Sequence, residues 1–255
     1  MKTYGNVYSL GSMCRCADYL RMAGLRLASG PFDWIYCGRS FENVLSWCVD
    51  ELKGFIEKDD LVKDDPVTGP KKTIWYKNTK TGFLFPHEFI YGREFNGMYN
   101  EVRAKYDRRI ARFLSALRGK DKVLLCYLAR EERPTDSSAG EAFAKLRAKY
   151  GDHVDAICFV GDLPPGEPVR TVEPVPGLKM VHFYTNGAEE GDSRIIKDEE
   201  VVAMAELSQI RVPGGKLSNR IMAFRRWAWR SKISRAGNKT YRLFGIPVWR
   251  KKVHA

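Results

Sequence analysis

Apolar and polar positions run in two rhythms along this chain, and the rhythm changes near its middle. Val7, Tyr8 and Leu10 lead into Gly11-Ser12 and predict a strand feeding a helix over 14–24 that ends at Gly24. Ser29-Gly30-Pro31-Phe32-Asp33-Trp34 reads as a turn, because proline fixes its own φ and disfavours helix in the residue before it. Phe41, Val44, Leu45, Cys48, Leu52 and Phe55 recur at helical spacing. Residues 58–72 are charged and hold Pro66, Gly69 and Pro70, which predicts a loop; 73–76 and 82–89 then resemble a β-hairpin. Tyr99, Val102, Tyr106, Ile110, Phe113 and Leu117 form the stripe of a long helix. Beyond residue 120, near-continuous apolar runs at 122–129, 156–160 and 178–184 accompany helical stretches at 139–150 and 198–209. Such runs suit parallel strands buried on both faces, so residues 1–210 are expected to form a three-layer α/β sandwich with a mainly parallel sheet. Val212-Pro213-Gly214-Gly215 then breaks the chain.

Composition agrees with a packed body and sets off a distinct tail. The 255 residues are 44% hydrophobic with six tryptophans, ample for one large core. No run approaches 18 apolar residues, no export signal opens the sequence, and the six cysteines follow no framework spacing; a reduced, cytoplasmic setting is expected. The net charge is +12, yet residues 211–255 carry 13 Lys and Arg and no Asp or Glu. Residues 1–210 therefore balance 30 basic against 31 acidic side chains. Within 217–233, Leu217, Ile221, Phe224 and Ala228 share one helical stripe and Met222, Trp229 and Ile233 another, with arginines between. This predicts an interfacial helix that holds the protein peripherally on an anionic membrane, the inner face of the cytoplasmic membrane. Nucleic acid would attract the same charges, but no base-reading motif accompanies them.

Cys14 carries the candidate chemistry. A thiol at a helix N-terminus meets unpaired backbone N–H groups and the positive end of the helix dipole, which favour the nucleophilic thiolate. The competing reading is a buried, inert thiol. A nucleophile needs a base, and His87, at a strand end beside Pro86, suits that role better than His153, His254 or His182, the last read as a satisfied core histidine. Asp33, a carboxylate between two aromatics, is the candidate to orient the histidine, with Glu88 and Asp107 as alternatives; a turn or cap role is equally open to it. Backbone N–H groups at Gly11 and Ser12 are candidate oxyanion donors. Arg109 is a candidate for binding a substrate anion or pairing with Asp33, against the commoner role of laying its stem on the core. There is no HExxH, no paired zinc spacing and neither nucleotide-binding glycine motif, so no metal or cofactor is expected.

Ser9-Leu10-Gly11-Ser12-Met13-Cys14, Pro31-Phe32-Asp33-Trp34, Phe85-Pro86-His87 and Arg108-Arg109-Ile110-Ala111-Arg112-Phe113 resemble, in order and spacing over about residues 5–185, the bacterial family catalogued as putative papain-like cysteine peptidases. The resemblance implies Cys14 as nucleophile, His87 as base and, by its name, a papain-like α+β fold as the alternative architecture. The residue pattern instead puts Cys14 directly after a strand, as in doubly wound esterases and acyltransferases. Residues 239–252 resemble a short ending of bacterial surface-polysaccharide glycosyltransferases, which implies glycan-assembly proteins as partners. The expected function is thus a Cys14–His87 hydrolase, or an acyl or glycan-related transferase, in surface-polysaccharide assembly. The alternative is a non-enzymatic, membrane-associated accessory protein that binds a glycan or lipid-linked intermediate.

Overall fold

The computed structural model describes residues 1–37, 40–68, 73–129, 132–185, 195–213, 229–233, 238–243 and 246–252. Its central sheet runs β2 (Asn6–Gly11), β6 (Val123–Ala129), β7 (Val154–Leu163), β9 (Leu178–Tyr184) and β8 (Arg170–Val175), in that spatial order. The first four strands are parallel, and only the edge strand β8 runs antiparallel, against β9. A two-residue parallel pair, β1 (Lys2–Thr3) and β10 (Ile210–Arg211), ties the two ends of the body together.

Strand period two sorts the core into two halves. Val7, Leu124, Cys126 and Leu128 face α1 (Cys14–Met22) and α5 (Ile195–Leu207), whose Tyr19, Leu20, Ala203 and Leu207 complete that cluster. Tyr8, Leu10, Val123, Leu125 and Tyr127 face the other way, onto α2 (Phe41–Val49), α3 (Phe95–Arg118) and α4 (Asp136–Tyr150). The architecture is therefore the three-layer α/β sandwich with a mostly parallel sheet, and not the α+β arrangement that the family's name suggested. Ser40 caps α2, Glu94 caps α3 through the amides of Asn96 and Gly97, and Thr135 and Ser138 form a capping box on α4.

Several local expectations need correction. Of residues 58–72, Lys58–Asp60 form a 3₁₀ turn and Leu61–Thr68 form strand β3. That strand pairs with β4 (Thr73–Asn78), which pairs with β5 (Leu84–Ile90), so the expected hairpin is a three-stranded antiparallel sheet. The helix starting at Phe41 stops at Val49, because Glu51 and Leu52 adopt left-handed φ of 59° and 57°; Leu52 and Phe55 stay buried without it. Of the tail helix expected over 217–233, residues 217–228 lie outside the described residues, as does His254, and Trp229–Ile233 is strand β11. It pairs antiparallel with β12 (Asn238–Leu243), which pairs with β13 (Ile246–Lys252). The register rows are Trp229–Leu243–Ile246, Arg230–Arg242–Pro247, Ser231–Tyr241–Trp249, Lys232–Thr240–Arg250 and Ile233–Lys239–Lys251, with a register shift between Tyr241 and Arg242. The interleaved Trp and Arg at 229–233 thus lie on a strand and not on a helix.

Candidate active site

Neighbouring strands β2 and β6 send their following helices, α1 and α4, to opposite faces of the sheet. The carboxyl ends of strands at such a switch of helix side are where open α/β sheets bind ligands. Cys14 is the first residue of α1, three residues past the end of β2. Its N-cap is Met13, which makes no side-chain cap hydrogen bond, and the Cys16 amide donates to the Met13 carbonyl at 3.3 Å. The loop before it is held on both sides. Ser12 donates its amide (3.2 Å) and its hydroxyl (3.0 Å) to the Leu128 carbonyl of β6, and its own carbonyl accepts from the Cys37 amide (3.0 Å). The Gly11 amide donates to Ser9 Oγ at 3.2 Å. The amides of Gly11 and Ser12, expected as oxyanion donors, are therefore already engaged.

The six cysteines differ sharply in environment. Cys14 is half-buried, while Cys16, Cys37, Cys48, Cys126 and Cys158 are buried. Burial pushes the Cys16 and Cys37 thiols up to about 12 and raises those of Cys48, Cys126 and Cys158 as well. Those five are protonated, unreactive core groups at neutral pH.

The Pro31–Trp34 turn packs against the same strand end. Phe32 is fully buried, edge-on to Phe55, Phe83 and Phe113, and Phe113 of α3 in turn meets Tyr8 of β2 at 5.1 Å. Asp33 is buried too, and it is the acceptor of an ion pair: Arg26 Nε donates to Oδ2 at 2.7 Å, Arg26 Nη2 lies 2.6 Å from the same oxygen, and the Gly30 amide donates to it at 2.9 Å. Burial raises the Asp33 carboxyl above its usual value, opposed by Arg26, the Gly30 amide and Arg109. The orienting contact expected between Asp33 and a histidine is thus replaced by one with arginine.

His87 lies on β5, exposed, where the doubly hydrogen-bonded bridge between Tyr36 and Leu84 (2.9 and 2.8 Å) runs the turn alongside the strand. Its ring is edge-on to the Trp34 indole, centroids 6.4 Å apart. Of the alternatives to Asp33, Asp107 pairs with Arg103, and Glu88 accepts from Tyr106 Oη (3.0 Å) and pairs with Lys105 and, at 3.8 Å, with Arg109. Arg109 is buried over the Tyr106 ring, its Nη1 without a hydrogen-bond partner. The other two histidines among the described residues are structural in their contacts. His153 Nε2 meets the Leu117 carbonyl, and buried His182 has Nδ1 on Asp162 and Nε2 on Asp136, each at 2.9 Å. His182 on β9 is three strand spacings from β2, about 14 Å at 4.8 Å each, too far to serve Cys14.

Two groups escaped the sequence reading. Arg26, in Gly24-Leu25-Arg26-Leu27, was legible only as a lone charge among apolar residues. The Asp136–His182–Asp162 cluster joins three separated elements that only the fold brings together. Among the described residues no group of three or more His, Cys, Asp or Glu side chains is placed to hold a metal ion.

Comparison with known proteins gives one family and one curated relative. A family model described as "putative papain-like cysteine peptidase" matches residues 6–138. An uncharacterized protein of Acanthamoeba polyphaga mimivirus is 27% identical over 147 residues, which is 51% of this chain and 63% of the viral protein. The chain thus spans less than two thirds of that relative's length. No solved structure matches.

Proposed function

The chain belongs to the putative papain-like cysteine peptidase family, and from that membership we propose that it is a hydrolase of acyl bonds with Cys14 as nucleophile and His87 as base. One observation carries the reading: a chain of contacts links four sequence stretches that lie far apart in the chain. Ser12 bonds Cys37 behind the Pro31–Trp34 turn, Trp34 touches His87, and Phe113 of the α3 motif packs on both Tyr8 and Phe32. The thiol passes its proton to the imidazole, and the thiolate attacks the acyl carbon. The tetrahedral oxyanion forms beside the positive N-terminal end of α1, whose dipole favours the developing negative charge where the amides of Gly11 and Ser12 are already engaged. Collapse expels the leaving group, which takes the proton from the imidazolium and leaves a thioester. Water, deprotonated by the imidazole, then releases the acid and restores the thiol.

Iodoacetamide labelling read by mass spectrometry tests this directly. Cys14 alone should be alkylated in the native protein, with a pH midpoint well below the free-thiol value of about 8.5, and His87→Ala should move that midpoint up towards it. A midpoint at the free-thiol value that His87→Ala leaves unchanged would sink the enzyme and favour the accessory-protein reading.

The membrane part of the reading rests on charge. Thirteen cations without an acid in residues 211–255 suit an anionic leaflet at about 1 kcal/mol per cation near the surface. Among the described residues no helix is long and apolar enough to cross a membrane. The full chain should co-sediment with vesicles containing phosphatidylglycerol at about 0.05 M salt and be released at about 0.5 M. Equal binding to neutral phosphatidylcholine vesicles, or none to either, would remove the tail from membrane attachment. The surface-polysaccharide setting rests on the tail's resemblance alone.

A further inference from the structure

We propose that Arg26 and Trp34 are positioning residues that fix the His87 imidazole for proton transfer with Cys14. The inference rests on the Cys14–His87 reading and adds the device that holds its base. An exposed imidazole on a strand has rotamers to choose from, whereas a general base works only from one defined position. In Ser-His-Asp sites a carboxylate bonded to the ring supplies that restraint. Here the group against the His87 ring is the Trp34 indole, edge-on at an interplanar angle of 82°. Edge-to-face ring pairs are directional, which gives such a contact orienting power.

The indole is itself fixed. Arg26 lays its guanidinium over the Trp34 ring, 5.2 Å from the centroid. That guanidinium is held by Asp33 Oδ2 and by Ser29 Oγ, which accepts from Nη2 at 2.7 Å. Asp33 is locked by the Gly30 amide, and the backbone of the turn is bonded to the start of β5 through Tyr36 and Leu84. The next residue along β5, Glu88, is tied to α3 by Lys105, Tyr106 and Arg109, so the strand carrying His87 is anchored as well. Asp33 thus reaches the histidine at two removes, through an arginine and a tryptophan. This assigns a purpose to an ion pair whose burial makes it a weak source of stability.

The Cys14 alkylation profile against pH reads the proposal, with thermal melting as a check on folding. Trp34→Leu should lower the alkylation rate at neutral pH by about tenfold, intermediate in the range a misplaced catalytic group costs, and move the midpoint in the same direction as His87→Ala. Trp34→Phe keeps an aromatic edge and should stay near the wild-type profile. Arg26→Lys keeps the charge on Asp33 but loses the planar face over the indole, and should give an intermediate shift without unfolding. If His87→Ala shifts the midpoint while Trp34→Leu and Arg26→Lys leave it unmoved, the positioning role is refuted and the dyad stands. If His87→Ala leaves it unmoved, the dyad falls and the positioning role with it.

Discussion

Arg26→Met is expected to lower the free energy of unfolding by about 3–5 kcal/mol, the cost of breaking a buried pair from one side. The Asp33 side chain is only 2% exposed, and Arg26 supplies both guanidinium contacts to Oδ2. Without them the carboxylate keeps the Gly30 amide and the more distant field of Arg109. The double variant Arg26→Met/Asp33→Asn should recover most of the loss, because it removes the stranded charge as well as its partner, and a neutral amide can still accept from Gly30. Urea unfolding of the four proteins of this cycle measures the coupling, provided the denaturant slope is unchanged. A single-variant cost below about 1 kcal/mol, the worth of an exposed pair, would mean that Asp33 is not a buried partner of Arg26.

The pH dependence of this variant has a definite sign. Burial holds the Asp33 carboxyl above the ordinary value of about 3.9, so the folded protein binds its proton more readily than the unfolded chain does. Stability from such a group is present below the unfolded pKa, falls as pH rises through the folded pKa, and is flat above it. Removing Arg26 takes away the largest influence opposing burial and raises the folded pKa further. The Arg26→Met penalty should therefore be greatest at neutral pH and shrink on acidification as Asp33 takes up a proton, while the double variant should lack this dependence. A penalty that grows towards acid would reverse the assignment.

What could be read from the sequence, and what could not, divides along burial. Strands β6, β7 and β9 were legible because burial on both faces makes each a continuous apolar run. Strand β3 holds Lys63, Asp64, Asp65 and Pro66, and β8 is a largely exposed edge; charges and proline are how sheet edges avoid self-pairing, and they also erase the apolar signal. In the tail, 229–233 fitted a helical stripe only with arginines interleaved, whereas strand period two separates the same residues into rows. At the site, Cys14 was legible because a strand, a Gly-Ser turn and a helix are adjacent in sequence. Asp33 was legible as an unusual carboxylate, but its partner was not. Arg26 is seven residues away across a turn whose shape is set by Phe32 burying among Phe55, Phe83 and Phe113, contacts that no local pattern encodes.

Gly11→Ala should be nearly as damaging as Arg26→Met, at about 3–5 kcal/mol, for reasons confined to the backbone that delivers Cys14. Gly11 has φ +103°, a region that costs a side-chain-bearing residue about 1–3 kcal/mol. An added Cβ would also overlap Cys37 Sγ, adding an overpacking cost of about 1–3 kcal/mol. Cys37 cannot retreat cheaply: it is fully buried, its thiol points at the Leu10 and Ser12 carbonyls (3.7 and 3.5 Å), and its amide bonds Ser12. Gly11→Ala/Cys37→Ala separates the two contributions, since it relieves the overlap and leaves the φ strain. The double variant should regain about half of the loss, measured by urea unfolding against Cys37→Ala alone. Full recovery would show that the positive φ is not enforced in the native loop. If the loop yields instead of the core, the single variant stays folded and the Cys14 alkylation rate drops, because Met13 and Cys14 follow directly from the displaced turn. Either loss is expected from a loop held by Leu128 on one side and Cys37 on the other; a variant with both wild-type stability and wild-type thiol reactivity would contradict that geometry.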